Sequence, residues 1–105
     1  MITIIQGESY PINVTINYGG KPLTPDKVAD IMICLGNVRK KYSDDTLDFN
    51  ESTNKWVFYP TQDETLGIPP GFHKIWIHIK AKDGVVQKVE GAIVSIKESC
   101  CKEKI

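Results

Sequence analysis

The run from Gly71 to Lys97 constrains this chain more than any other stretch. Phe72-His73-Lys74-Ile75-Trp76-Ile77-His78-Ile79-Lys80 alternates apolar and polar residues, meets Asp83-Gly84, and is followed by a second β-rich run. Side chains on a strand alternate between faces with period two, so Ile75, Ile77 and Ile79 share one face and Phe72, Trp76 and His78 the other. Asp-Gly is a strong hairpin signal because such turns need positive φ angles. This stretch predicts a long β-hairpin. Gly91 interrupts its second arm before Ala92-Ile93-Val94-Ser95-Ile96, which predicts a bulge that re-aims the strand.

The rest of the chain has the same character. Short β-branched or aromatic runs separated by turn residues predict an all-β sandwich of about seven to eight antiparallel strands. Ile2 to Ile5 is the first and Tyr10 to Tyr18 the second, with Ile12, Val14 and Ile16 on one face and Pro11 placing its start at an edge or bend. Gly19-Gly20-Lys21-Pro22 reads as a turn, Thr24-Pro25-Asp26-Lys27 as a single helical turn, and Val28 to Leu35 as a strand. Arg39 to Tyr42 and Thr46 to Phe49 read as an edge hairpin joined by Ser43-Asp44-Asp45. Lys55 to Tyr59 follows, with Trp56 and Phe58 opposite Val57 and Tyr59, so that both faces can pack. Leu66, Ile68, Pro69 and Pro70 make the Gln62-to-Gly71 connection apolar enough to cap one end.

A chain of 105 residues forms about one domain and buries roughly two-thirds of its unfolded surface. We place one β-sandwich over residues 1–98 and a charged, disordered tail over 99–105. Thirteen basic residues balance thirteen acidic ones, so no net field steers polyanions, and nucleic acid is not expected as a partner. No apolar run approaches the ~20 residues of a membrane helix, and the amino terminus lacks the pattern of a signal peptide. No membrane partner is expected, and the expected site of synthesis and residence is the bacterial cytoplasm.

Chemistry-bearing groups are sparse. Three cysteines, Cys34 in an apolar strand and the neighbours Cys100 and Cys101, cannot staple distant loops, so reduced thiols are expected. No metal or other cofactor is expected. His73 and His78 lack zinc-site spacing with another Cys or His pair. Asp44, Asp45 and Asp48 lack the ordered ligands and glycine of a calcium loop and read as a solvated turn. His73 shares a face with Ile75 and Ile77 and reads as a core-edge histidine satisfied by a hydrogen bond. No nucleophile elbow or phosphate-cradling glycine loop is present. We therefore expect no catalytic site and no enzyme activity.

Candidate interface residues are Phe72, Trp76 and His78 on the row opposite the isoleucines, and Arg39, Lys40 and Lys41, which can protect a free strand edge. Two rivals remain. One is a carbohydrate-binding module that stacks sugars on Trp56, Tyr59 and Trp76; the other is a small accessory domain of a hydrolase using His73 or His78.

Several segments carry a resemblance. Ile-Gln-Gly-Glu-Ser-Tyr-Pro-Ile at 5–12, Thr61-Gln62-Asp63-Glu64-Thr65-Leu66, Pro70-Gly71-Phe72 leading into Ile75 to Ile79, and Lys82-Asp83-Gly84-Val85-Val86 resemble the small immunoglobulin-like domains of phage tail and baseplate proteins. They are most similar to the amino-terminal domain of the baseplate upper protein family. The resemblance implies an immunoglobulin-like antiparallel β-sandwich and a non-catalytic phage or prophage structural protein. Its implied partners are other virion proteins or further copies of itself, and its implied destination is the virion. The chain departs from that family in ending soon after the last strand, with no receptor-binding region.

Overall fold

The computed structural model describes residues 2–101, and the fold is mostly β. Its strands are β1 (Ile2–Ile5), β2 (Ile12–Val14), β3 (Asn17–Tyr18), β4 (Lys21–Pro22), β5 (Val28–Leu35), β6 (Val38–Lys41), β7 (Leu47–Asn50), β8 (Lys55–Phe58), β9 (Gly71–Ala81) and β10 (Val86–Lys97). A 3-10 turn spans Pro25–Lys27, and a short helix, α1, spans Gln62–Leu66. One sheet has the order β1-β10-β9-β5-β6, a second β2-β8-β7, and β3 and β4 form a separate ribbon. All neighbours are antiparallel except β1, which runs parallel to β10.

One apolar core lies between the two larger sheets. Ile31, Ile33 and Leu35 of β5, Ile75, Ile77 and Ile79 of β9, and Val94 and Ile96 of β10 meet Ile12, Leu47, Trp56 and Phe58 of the smaller sheet. Each such side chain taken fully out of water contributes about 1.5–3 kcal/mol. Trp56 is fully buried, and its indole N–H donates to Leu23 O at 3.0 Å, which satisfies the one polar atom it carries into the core. Phe49 and Tyr42 pack on its ring, with centroids 4.9 and 5.3 Å away.

The long hairpin forms as its pattern predicts, with the isoleucine row inward. Its tip is one residue longer than the two-residue turn Asp-Gly implies, and only Gly84 in it has positive φ, at 92°. Gly84 N–H donates to Ala81 O, Ala81 N–H donates to Val85 O, and the Asp83 carboxylate accepts from Val85 N–H. That is a three-residue loop closed by a left-handed glycine. The expected bulge is present: Trp76 pairs with Glu90 and Lys74 with Ile93, so Gly91 and Ala92 together oppose Ile75.

Three local expectations are corrected. The run from Tyr10 to Tyr18 is not one strand, since pairing stops at Val14 and resumes at Asn17, where the chain leaves β8 for the ribbon with β4. Arg39 to Tyr42 and Thr46 to Phe49 do not form a hairpin. β6 pairs with β5 and β7 with β8, so the connection between them crosses from one sheet to the other. Adjacency in sequence favours a hairpin, but Val38 and Leu47 each find buried partners in different layers. Finally, β8 packs on one face only: Trp56 and Phe58 are buried while Tyr59 is exposed.

The end of the core is closed by the 61–70 connection. Thr61 and Glu64 cap α1 reciprocally: Thr61 Oγ1 accepts from Glu64 N–H at 3.2 Å and Glu64 Oε1 accepts from Thr61 N–H at 2.8 Å. The buried Thr65 hydroxyl accepts from Gly7 N–H at 3.0 Å and donates to Glu8 O at 2.8 Å. Gln6, also buried, donates to Ile68 O at 2.9 Å and accepts from Ser99 N–H at 3.4 Å. Two segments that carry the resemblance, 5–12 and 61–66, are thus in direct contact. Ser99, placed in the tail from sequence, is tied to the domain, while 102–105 of that tail lie outside the described residues.

Candidate interaction face

The outer face of the five-stranded sheet assembles most of the residues singled out from sequence. Register places them in rows. Lys88, His78, Met32 and Lys41 form one row across β10, β9, β5 and β6, and Glu90, Trp76, Cys34 and Arg39 form the next. Toward one end, Lys74 pairs with Ile93, Phe72 with Ser95, and Lys97 with Ile5. Toward the other, Lys80 lies between Val86 and Asp30. Phe72 is 72% and Trp76 39% exposed, with Val86, Ile93 and Ile5 also open to solvent.

Among the described residues no layer covers these apolar groups, which stay open to solvent. The pleat puts the isoleucines and the Phe72 and Trp76 row on opposite faces, and core packing turns the isoleucines inward. His78 is half-buried between Lys88 and Met32. Burial, then the charges of Lys88 and Arg39, hold its pKa below the ordinary histidine value. The Cys34 thiol is pushed up by burial, against the pull of Arg39 and Lys88. Lys74 and Glu90 form an exposed ion pair at 3.2 Å across the strands.

Lys40 does not join this face. It pairs in register with Ile33, on the opposite side of β6 from Arg39 and Lys41, and its ammonium lies 2.7 Å from Glu64. Burial opposes the Glu64 charge, but Lys40 and the Thr61 N–H outweigh it and hold the carboxyl below the usual range. His73 is a core-edge residue as expected, its Nε2 2.7 Å from Pro69 O.

The sequence missed how the sheet's edges are closed. Gln6 N–H donates to Lys97 O, so Thr3 and Ile5 of β1 turn their backbone groups outward. There Tyr10 OH donates to Thr3 O at 2.7 Å, and Ile5 N–H donates to Glu8 Oε1 at 2.6 Å. On β6, Tyr42 N–H donates to Ile31 O, which leaves Arg39 and Lys41 facing outward. Thr46 Oγ1 accepts from Lys41 N–H at 2.8 Å and donates to Lys41 O at 3.1 Å. Side chains therefore occupy backbone groups that an added strand would need. No sequence signal gives this, since Tyr10 and Thr46 act through chain turns that a strand pattern does not encode.

The sugar platform of Trp56, Tyr59 and Trp76 is not assembled. Trp56 is in the core, Tyr59 follows β8 in the smaller sheet, and Trp76 faces outward from the larger one. Among the described residues no three His, Cys, Asp or Glu side chains are grouped to hold a metal ion. No helix of the described chain is long and apolar enough to cross a membrane. Compared with family models, curated proteins and solved structures, the chain matches none. The resemblance to phage baseplate domains rests on the segments quoted for it.

Proposed function

We propose that this chain is a non-catalytic assembly module of immunoglobulin-like topology, and that it serves as a tail or baseplate component of a phage or prophage. The topology is supported by strand order. With β2, β8 and β7 taken as B, E and D, and β5, β6, β9 and β10 as C, C′, F and G, the layers read BED and GFCC′, with β1 added beside G. The inter-sheet disulfide of antibody domains is replaced by apolar packing around Trp56, which lies on the strand equivalent to E. The virion role is supported by the resemblance of segments 5–12, 61–66, 70–79 and 82–86.

The observation that carries the assembly reading is the exposure of Phe72 and Trp76 together on one sheet face. Large apolar groups open to water on one face, here with Lys74 between them, favour a covering partner. With both edges of that sheet partly occupied by side chains, packing on the face is a better route than strand addition.

Light scattering across a concentration series tests the reading. The expected result is a mass that rises with concentration or settles at a defined oligomer, and that returns to the monomer in Trp76→Ser. A monomer at every concentration removes self-assembly and confines the module to a heterologous virion partner. A gene located among tail, capsid or portal genes supports the virion assignment, and one located among unrelated genes counts against it.

A further inference from the structure

We propose that the partner seated on the Trp76 face is an acidic protein surface; this rests on the assembly reading above and adds the chemistry of the occupant. The chain is electrically balanced, with thirteen basic and thirteen acidic residues, yet its charges are segregated. Arg39, Lys41, Lys74, Lys80, Lys88 and Lys97 all project from the outer face of the five-stranded sheet. Among the described residues of these strands the same face carries two carboxylates, and both are engaged. Glu90 is paired with Lys74, and Asp30 accepts from the Ser43 hydroxyl and N–H. His78, whose pKa is lowered first by burial and then by Lys88 and Arg39, sits among these basic groups.

The arrangement is that of a protein interface. Trp76 and Cys34 occupy the middle of the face, Phe72 and Ile93 extend it past the Lys74–Glu90 pair, and Arg39, Lys41, Lys80, Lys88 and Lys97 lie around it. An apolar centre inside a polar rim is the anatomy of protein contact surfaces, where the rim charges steer the encounter and select the partner. Nucleic acid fits less well, because the basic groups surround an apolar centre instead of lining a groove that a phosphate backbone could track. An acidic surface with one or two apolar side chains meets both features at once.

The test uses the whole chain, with backbone amide NMR shifts as readout, titrated with four probes. Three are peptides of equal length built from Leu with Glu, with Gln or with Lys; the fourth is a single-stranded oligonucleotide of the same charge as the Glu peptide. The expected result is binding of the Glu peptide with shifts on residues 72–80, 86–95 and 39–41. Its affinity should fall about tenfold between low and high salt, as screening of rim charges requires. The double variant Lys80→Glu, Lys88→Glu should lose about tenfold while keeping the wild-type unfolding midpoint. Equal binding of the Gln and Glu peptides overturns the acidic-partner inference and leaves the assembly face standing. So does a salt-independent oligomer in which a second copy already covers the face. Tighter binding of the oligonucleotide overturns the inference in favour of nucleic acid, and no shift on the face with any probe overturns both the inference and the assembly reading.

Discussion

Gly91 stands directly against Ile75: a Cβ placed at position 91 would lie 3.1 Å from Ile75 O and 3.3 Å from Ile75 Cβ. That close approach lets two residues of β10 face one of β9, and it decides which side chains enter the core. Before the bulge, Val89 pairs with the inward Ile77; after it, Val94 and Ile96 are the buried residues while Ser95 and Lys97 turn out. A register without the extra residue would exchange those faces.

Gly91→Ala therefore places a methyl group against a backbone carbonyl that cannot move without disturbing the ladder. The expected outcome is a loss of about 1–3 kcal/mol in a urea unfolding titration. An unchanged midpoint would show that the strands can separate at the bulge without penalty.

Thr65 joins α1 to the 6–8 segment through a buried hydroxyl that both accepts and donates. Thr65→Val keeps the shape and strands Gly7 N–H and Glu8 O, with an expected loss of about 1–3 kcal/mol. Thr65→Ser keeps the hydroxyl and should recover much of that stability in the same denaturation assay.

The two tryptophans should separate stability from association. Trp56 is fully buried in the core, so Trp56→Ala should cost about 3–5 kcal/mol or prevent folding. Trp76 faces solvent, so Trp76→Ser should change the unfolding free energy by less than about 1 kcal/mol. Its measurable effect should be on solution mass instead.

His78 gives a pH dependence whose direction is fixed by its surroundings. Burial, Lys88 and Arg39 lower its pKa in the folded chain, while Lys41, Lys80 and Asp30 lie nearby on the same face. The unfolded chain then binds a proton more readily than the folded one. Stability falls as pH drops through about 6.5 and this contribution levels off below the folded-state pKa. Thermal melts from pH 7.5 to 5 should show that slope, and His78→Gln should flatten it. A slope unchanged by the substitution would assign it to other groups.

How much of this was legible in the sequence varies from element to element. Val28 to Leu35 and Ile2 to Ile5 were readable residue for residue, and so were the long hairpin and its bulge, because each carries a dense β-branched pattern or a glycine with a local geometric reason. The faces of β9 were readable too, since alternation is a property of the strand itself. Hence Phe72, Trp76 and His78 could be named together as one row.

What only the tertiary structure decided is which elements meet. β6 and β7 look like two arms of one hairpin, yet they belong to different layers, because pairing is settled by the burial of Val38 and Leu47 against distant strands. Lys40 looks like a neighbour of Arg39 and Lys41, yet the pleat turns it to Glu64 of α1. The basic ring around Trp76 draws on β5, β6, β9 and β10 at once. The sequence by itself determined β1, β5 and the long hairpin with the two faces of β9, which are short-range consequences of residue type. The sheet order, the partly occupied edges and the segregated charge depend on long-range packing, to which a single period along the chain carries no address.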